Sequence, residues 1–172
     1  MRRLGLYIVC LLALVSCGTD PGPQRPANRE GTTQRDSDLM AMLEVNQRMA
    51  SEADREVISY VQADTVHRYA QCHLGAWVTH VTRLPESEPP KMGEVVQVKM
   101  LIKTLSGELL RDVEGEYTLG KGELPLGIEY AIRELNRGEE GLILAPWHAA
   151  FGVDGEDNIG PYTNVRIEIT IQ

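Results

Sequence analysis

Tyr117-Thr-Leu-Gly-Lys-Gly-Glu-Leu-Pro-Leu-Gly127-Ile-Glu, running on to Leu135-Asn-Arg-Gly138-Glu, is the stretch that decides the fold. Tyr117-Thr-Leu119 is built of strand formers and reads as the end of a β-strand. Gly120-Lys-Gly122 lacks the spacing of a phosphate loop and reads as a turn into a helix. Pro125 suits the first turn of that helix, where its missing N–H costs nothing. From Pro125 to Leu135 the apolar residues Ile128, Ala131, Ile132 and Leu135 fall on one stripe, and Asn136-Arg-Gly138 ends it.

Strands surround this helix on both sides. Upstream, Gly93-Glu-Val-Val-Gln-Val-Lys-Met-Leu-Ile-Lys-Thr-Leu-Ser-Gly107-Glu-Leu-Leu alternates imperfectly and meets a hairpin signal around Gly107. Leu109-Leu110 and Tyr117-Thr-Leu119 read as further strand pieces. Earlier still, Trp77-Val-Thr-His-Val-Thr ends before the turn residues Pro85-Glu-Ser-Glu-Pro-Pro. Downstream come Gly141-Leu-Ile-Leu-Ala145 and the strictly alternating Val165-Arg-Ile-Glu-Ile-Thr-Ile171. The expected class is α+β, a curved antiparallel sheet wrapped around one short helix.

Taken in order with Leu144-Ala-Pro-Trp-His-Ala-Ala-Phe-Gly152 and Ile159-Gly-Pro161, this layout resembles the FKBP-type peptidyl-prolyl cis-trans isomerases over roughly half the chain, residues 93–172. The resemblance implies both a fold and a reaction. Rotation about an X-Pro bond faces a barrier of about 18–20 kcal/mol, because resonance stiffens the amide. An apolar cavity lowers it by stripping the carbonyl of water and holding the twisted amide more tightly than the planar one. No nucleophile, acid, metal or cofactor is required.

By the same resemblance the cavity walls are Met100, Leu110, Tyr117, Leu124 and Pro125, with Ile128 as floor. Phe151 and Ile159 close the lip, and Ile167 stands on the terminal strand. Read residue by residue, these positions serve equally as the core of a small barrel. The family usually carries aromatic rings where this chain has Met100, Leu110, Ile128 and Ile167, and an acid where it has Arg111. Phe151 lacks the usual tyrosine hydroxyl, and Pro125 lacks the backbone N–H that bonds a substrate carbonyl. The resemblance thus implies an isomerase of weakened activity on extended proline-containing segments. The alternative is a non-catalytic FKBP-like chaperone or binding module, or a subunit of an envelope complex.

The N-terminus carries Arg2 and Arg3, an apolar run Leu4–Val15, then Ser16 and Cys17. That is a secretory signal over 1–16, too short for a span of about 20 apolar residues. Leu14-Val-Ser-Cys17 fits the bacterial lipoprotein cleavage box, with Cys17 the lipidated first residue; an ordinary signal with a chance cysteine is the alternative. Lipid on Cys17 places the protein on a bacterial envelope membrane, facing the periplasm, with proline-containing segments of envelope proteins as partners. Lipid-anchored FKBP-like proteins of Gram-negative envelopes, including relatives associated with gliding motility, are similar in layout; motility itself does not follow. Loss of Arg2 and Arg3 takes the net charge from -8 to -10, which argues against nucleic acid. Cys72 is then left without a disulfide partner.

Residues 17–36 are rich in proline and glycine and read as a disordered spacer. A long amphipathic helix follows over 37–65, with Ser37 or Asp36 as N-cap. Leu39, Leu43, Ala50, Ala53, Val57 and Tyr60 or Val61 form its stripe, expected to pack on the FKBP-like domain of 66–172. A second face of Met40, Met42, Val45 and Met49 leaves a dimer interface as the alternative. His67, Cys72, His73 and His80 match no standard zinc spacing, and His148 reads as a solvated loop imidazole rather than a client contact.

Overall fold

Val165–Ile171 gives the sheet an inside and an outside. Its four apolar residues are buried, while Arg166, Glu168 and Thr170 between them stay partly exposed. In the computed structural model, which describes residues 29–172, helix α1 (Arg29–Ala63) precedes strands β1 (Ala70–Gln71), β2 (Trp77–His80), β3 (Val95–Thr104) and β4 (Leu109–Thr118). Helix α2 (Leu126–Ile132) follows, then β5 (Glu140–Ala145) and β6 (Val165–Ile171). The sheet is antiparallel throughout in the order β1-β2-β5-β6-β3-β4. The α+β reading holds.

The inner face packs on α2. Val96, Val98, Met100 and Ile102 of β3, Ile143 and Ala145 of β5, and all four apolar residues of β6 join Ile128, Ala131, Ile132 and Leu135 in one core. Each such isoleucine contributes roughly 1.5–3 kcal/mol by leaving water. Two glycines let the layers meet. A Cβ on Gly127 would strike the carbonyl of Ala149, and one on Gly141 would strike the Leu135 side chain. The helix ends at Ile132, short of the expected Leu135, because Glu134 and Leu135 bond back three residues to Ala131 and Ile132. That tighter turn still leaves Leu135 in the core.

The two strand pieces expected around 109 and 119 are one strand, β4. Its charged middle, Arg111–Glu116, hid it: at the sheet edge the outward side chains stay in water, so no apolar alternation is needed. A bulge at Ile102/Lys103 sets Arg111 opposite Ile102 and Leu109 opposite Lys103. Leu110 is the extra residue, and both it and Arg111 turn toward the inner side.

Helix α1 corrects two expectations. It already runs from Arg29, so Asp36 and Ser37 lie inside it and cap nothing, and residues 29–36 of the expected spacer are helical. From Arg29 to Ala63 no proline interrupts the sequence, and Gln34 bonds Asp38 one turn on at 3.0 Å. The expected stripe is buried only in its second half. Leu39 and Leu43 are exposed, as are Met40, Met42 and Val45, whereas Ala53 and Val57 are buried. The signal 1–16, Cys17 and the start of the spacer lie outside the described residues.

Leu43–Gln172 forms one compact unit, and within it the end of α1 lies on the sheet's outer face. Tyr60 accepts from Arg166 at 3.2 Å, Glu56 accepts from Asn164 at 2.6 Å, and Asp54 meets His148 Nε2 at 2.9 Å. His148 is therefore tied to the helix rather than free in its loop. Leu142 and Leu144 point outward yet are buried, so β5 is covered on both faces and reads as an unbroken apolar run. Val57→Ala is expected to cost about 2 kcal/mol in denaturant unfolding, as deletion of buried methyls does, while Leu39→Ala stays within about 0.5 kcal/mol.

A buried carboxylate fixes the loop between β2 and β3. Glu139 accepts from Leu84 N at 2.7 Å, Asn136 N at 2.9 Å, Asn136 Nδ2 at 3.1 Å and His80 Nδ1 at 2.7 Å. Burial alone would raise its pKa; the bonds from Leu84, Asn136 and His80 outweigh burial and hold it below the ordinary carboxylate value. A depressed folded pKa stabilises the fold above the unfolded value of about 4.3 and is lost as pH falls through the folded one. Unfolding free energy measured against pH is thus expected to drop on the acid side, with a shallower limb in Glu139→Gln.

Candidate functional site

The bowl lies where β3, β4 and the start of α2 converge. Ile128, fully buried on α2, forms its floor. Met100 and Ile102 rise from β3, and Arg111, Val113 and Tyr117 rise from β4. The approach to the helix adds Glu123, Leu124 and Pro125, and the loop after β5 adds Phe151 and Glu156. The cavity holds about 90 Å³. Ligand pockets commonly hold about 300–1,000 Å³, so this one has room for a single small ring rather than a drug-sized molecule.

Each wall residue is aimed by local geometry. In β3 the buried positions alternate, and pairing with β4 sets Met100 across from Val113, Ile102 across from Arg111 and Val96 across from Tyr117. Pro125 caps α2 instead of lying inside it; its carbonyl accepts from Ile128 N at 2.9 Å and Glu129 N at 3.0 Å. The Phe151 loop is held by Gly152 N donating to Trp147 O at 2.8 Å and by Trp147 packing edge-on against Tyr162. Across the mouth, Arg111 Nη1 donates to Glu156 Oε1 at 2.5 Å, and Nη2 lies 3.4 Å from Asp157 Oδ2. The Glu156 bond is the main cause that raises the guanidinium's pKa.

Six of the nine residues singled out from the sequence line this cavity: Met100, Tyr117, Leu124, Pro125, Ile128 and Phe151. Leu110, Ile159 and Ile167 pack in the core beside it. Leu110 is displaced by the bulge, and Ile159 and Ile167 are sealed behind the lining. Ile102, Arg111, Val113, Glu123 and Glu156 were not foreseen as wall. Strict alternation back from Tyr117 would have found Val113 and Arg111; nothing in the sequence pairs Arg111 with a loop 45 residues later.

The histidines and Cys72 do not converge. His67 bonds Asp64, His80 bonds Glu139, and His73 packs against Tyr130 with ring centroids 4.9 Å apart. Burial pushes the Cys72 thiol up to about 11, so it stays protonated at neutral pH. A wider groove of about 470 Å³ lies on the sheet's outer face, between His67, Lys99, Leu101, Leu142 and Arg166. Beside it Lys103 and Arg166 share Glu168. That is a solvated sheet face with cross-strand ion pairs. The smaller bowl, floored by a buried helix and walled mainly by apolar side chains, is the better site.

No protein-family model and no curated protein matches the chain. Solved structures do. A peptidyl-prolyl cis-trans isomerase from Pseudomonas syringae pv. tomato superposes with a TM-score of 0.61 at 19% identity, over 73% of this chain and 92% of that one. The three FKBP domains of wheat FKBP73 give 0.56 at 18% identity, over 61% of this chain and 49% of that one. With its sheet curled over one short helix, the chain has an FKBP-like fold.

Proposed function

We propose that the protein is a peptidyl-prolyl cis-trans isomerase of modest activity, acting on X-Pro bonds of polypeptides in the bacterial envelope. The observation that carries this reading is the bowl over Ile128, whose apolar walls take a prolyl ring out of water. Likeness to solved isomerases supports it. Catalysis there needs only desolvation of the amide and tighter grip on its twisted form. The low activity follows from the side chains. Phe151 brings no hydroxyl and Pro125 no N–H, and each lost hydrogen bond of about 1–1.5 kcal/mol slows the reaction roughly tenfold.

The envelope assignment, with lipid on Cys17 and the domain facing the periplasm, is supported by Leu14-Val-Ser-Cys17 and the apolar run before it. The test of activity is an isomerisation assay with the full chain on a set of X-Pro peptides. Rates above the uncatalysed reaction are expected. Phe151→Tyr, which restores a donor at the lip, is expected to raise kcat/KM about tenfold. Uncatalysed rates throughout would overturn the enzyme reading.

The small bowl and its missing donors also favour a second reading, a non-catalytic FKBP-like chaperone module or subunit of an envelope complex. A client-aggregation assay separates the two. Suppression of aggregation that survives substitution of Phe151 and Ile128 supports the binding module.

A further inference from the structure

The amide carbonyl that enters an apolar bowl loses its water and needs a donor there. Most of the bowl's side chains have none to give. The side chains of Met100, Ile102, Val113, Leu124, Ile128 and Phe151 carry no polar hydrogen. Pro125 has no N–H, and the carboxylates Glu123 and Glu156 are acceptors only. Two side chains remain, Arg111 and Tyr117, both on β4 and both pointing inward in the register of Ile102 and Val96.

These two donors are not equally free. Arg111 already spans the mouth to Glu156 and Asp157, at 2.5 and 3.4 Å. The Tyr117 hydroxyl makes no hydrogen bond among the described residues, whereas that of Tyr69 bonds Asp64 at 2.9 Å. Tyr117 leans back along β4 over Gly115, where an added Cβ would stand 3.4–3.6 Å from the ring and hydroxyl. That separation is ordinary van der Waals contact, so the ring lies over Gly115 without strain.

We infer that Tyr117 Oη is the donor that receives the carbonyl of a bound prolyl segment, with Arg111 held aside by its carboxylates. This rests on the isomerase-type bowl proposed above and assigns the group that polarises its ligand. The chemistry is a hydrogen bond formed and released, with no proton lost.

Tyr117→Phe tests it, since it removes one oxygen and keeps the ring against Gly115. Binding of an Ala-Ala-Pro-Phe peptide to the full chain is measured by calorimetric titration, and kcat/KM by the isomerisation assay. The expected result is about tenfold weaker binding or kcat/KM in Tyr117→Phe, with an unchanged melting temperature, as for one lost hydrogen bond. Arg111→Met is measured in parallel as the competing donor and is expected to lose less in either value than Tyr117→Phe. Unchanged binding and turnover in Tyr117→Phe would overturn the assignment and leave the bowl's function standing. A large loss in Arg111→Met alone would move the donor to the guanidinium and also overturn it. If the unmodified protein binds no prolyl peptide, the proposed function falls and the assignment with it.

Discussion

A sheet that curls must curl around something, and here it is the apolar stripe of α2. Ile128, Ala131 and Ile132, with Leu135 in the turn beyond, occupy the concave side of β3, β5 and β6. Their fit is exclusive at two glycines, where backbone and side chains approach too closely for any Cβ. Everything at the site follows from that seat. It fixes the floor of the bowl, the direction of Pro125 and the reach of the Phe151 loop, which packs against the same short helix.

The outer face is stabilised separately. Only the last turns of α1 reach it, through Ala53 and Val57 and through polar ties to His148, Asn164 and Arg166. Two of those ties end in residues next to the bowl's loop, His148 and Asn164, and Asn164 also accepts from Trp147 N at 2.9 Å. The helix therefore braces the loop that carries Phe151 from behind. The cost is modest: these are exposed ion pairs and hydrogen bonds worth a few tenths to about 1 kcal/mol each, so the brace is soft.

What could be read from the sequence is what has period. β6 alternates strictly and its bounds are those expected, and the stripe of α2 is buried as foreseen. The floor, lip and first wall of the bowl, Ile128, Phe151 and Met100, came instead from the resemblance to the FKBP-type isomerases, and Phe151 lies in a loop that has no period. What escaped lacked period or depended on distant partners. β4 is an edge strand whose charges mask it, and its bulge moves Leu110 away from the cavity while Arg111 enters it. Along α1 the stripe runs on past the last covered turn, so sequence spacing overstated the contact. Glu139 is a glutamate in a run of two, and nothing in the run says which one is buried under His80 and Leu84.

For the isomerase proposed above, the balance of terms in the bowl favours reduced over abolished catalysis. The rotational barrier is about 18–20 kcal/mol, and a donor contributes about 1–1.5 kcal/mol to its lowering. Losing the lip hydroxyl and the N–H at Pro125 therefore slows the reaction by one or two powers of ten but leaves the desolvation that the apolar walls supply. That desolvation depends on area, and isoleucine and methionine in place of rings give less of it. On the assignment inferred above, the Tyr117 hydroxyl is the group that would offset part of the loss. Bowl chemistry of this kind is distributed over many weak contacts and degrades by degrees as walls thin, which is the physical ground for proposing a weakened isomerase rather than an inert fold.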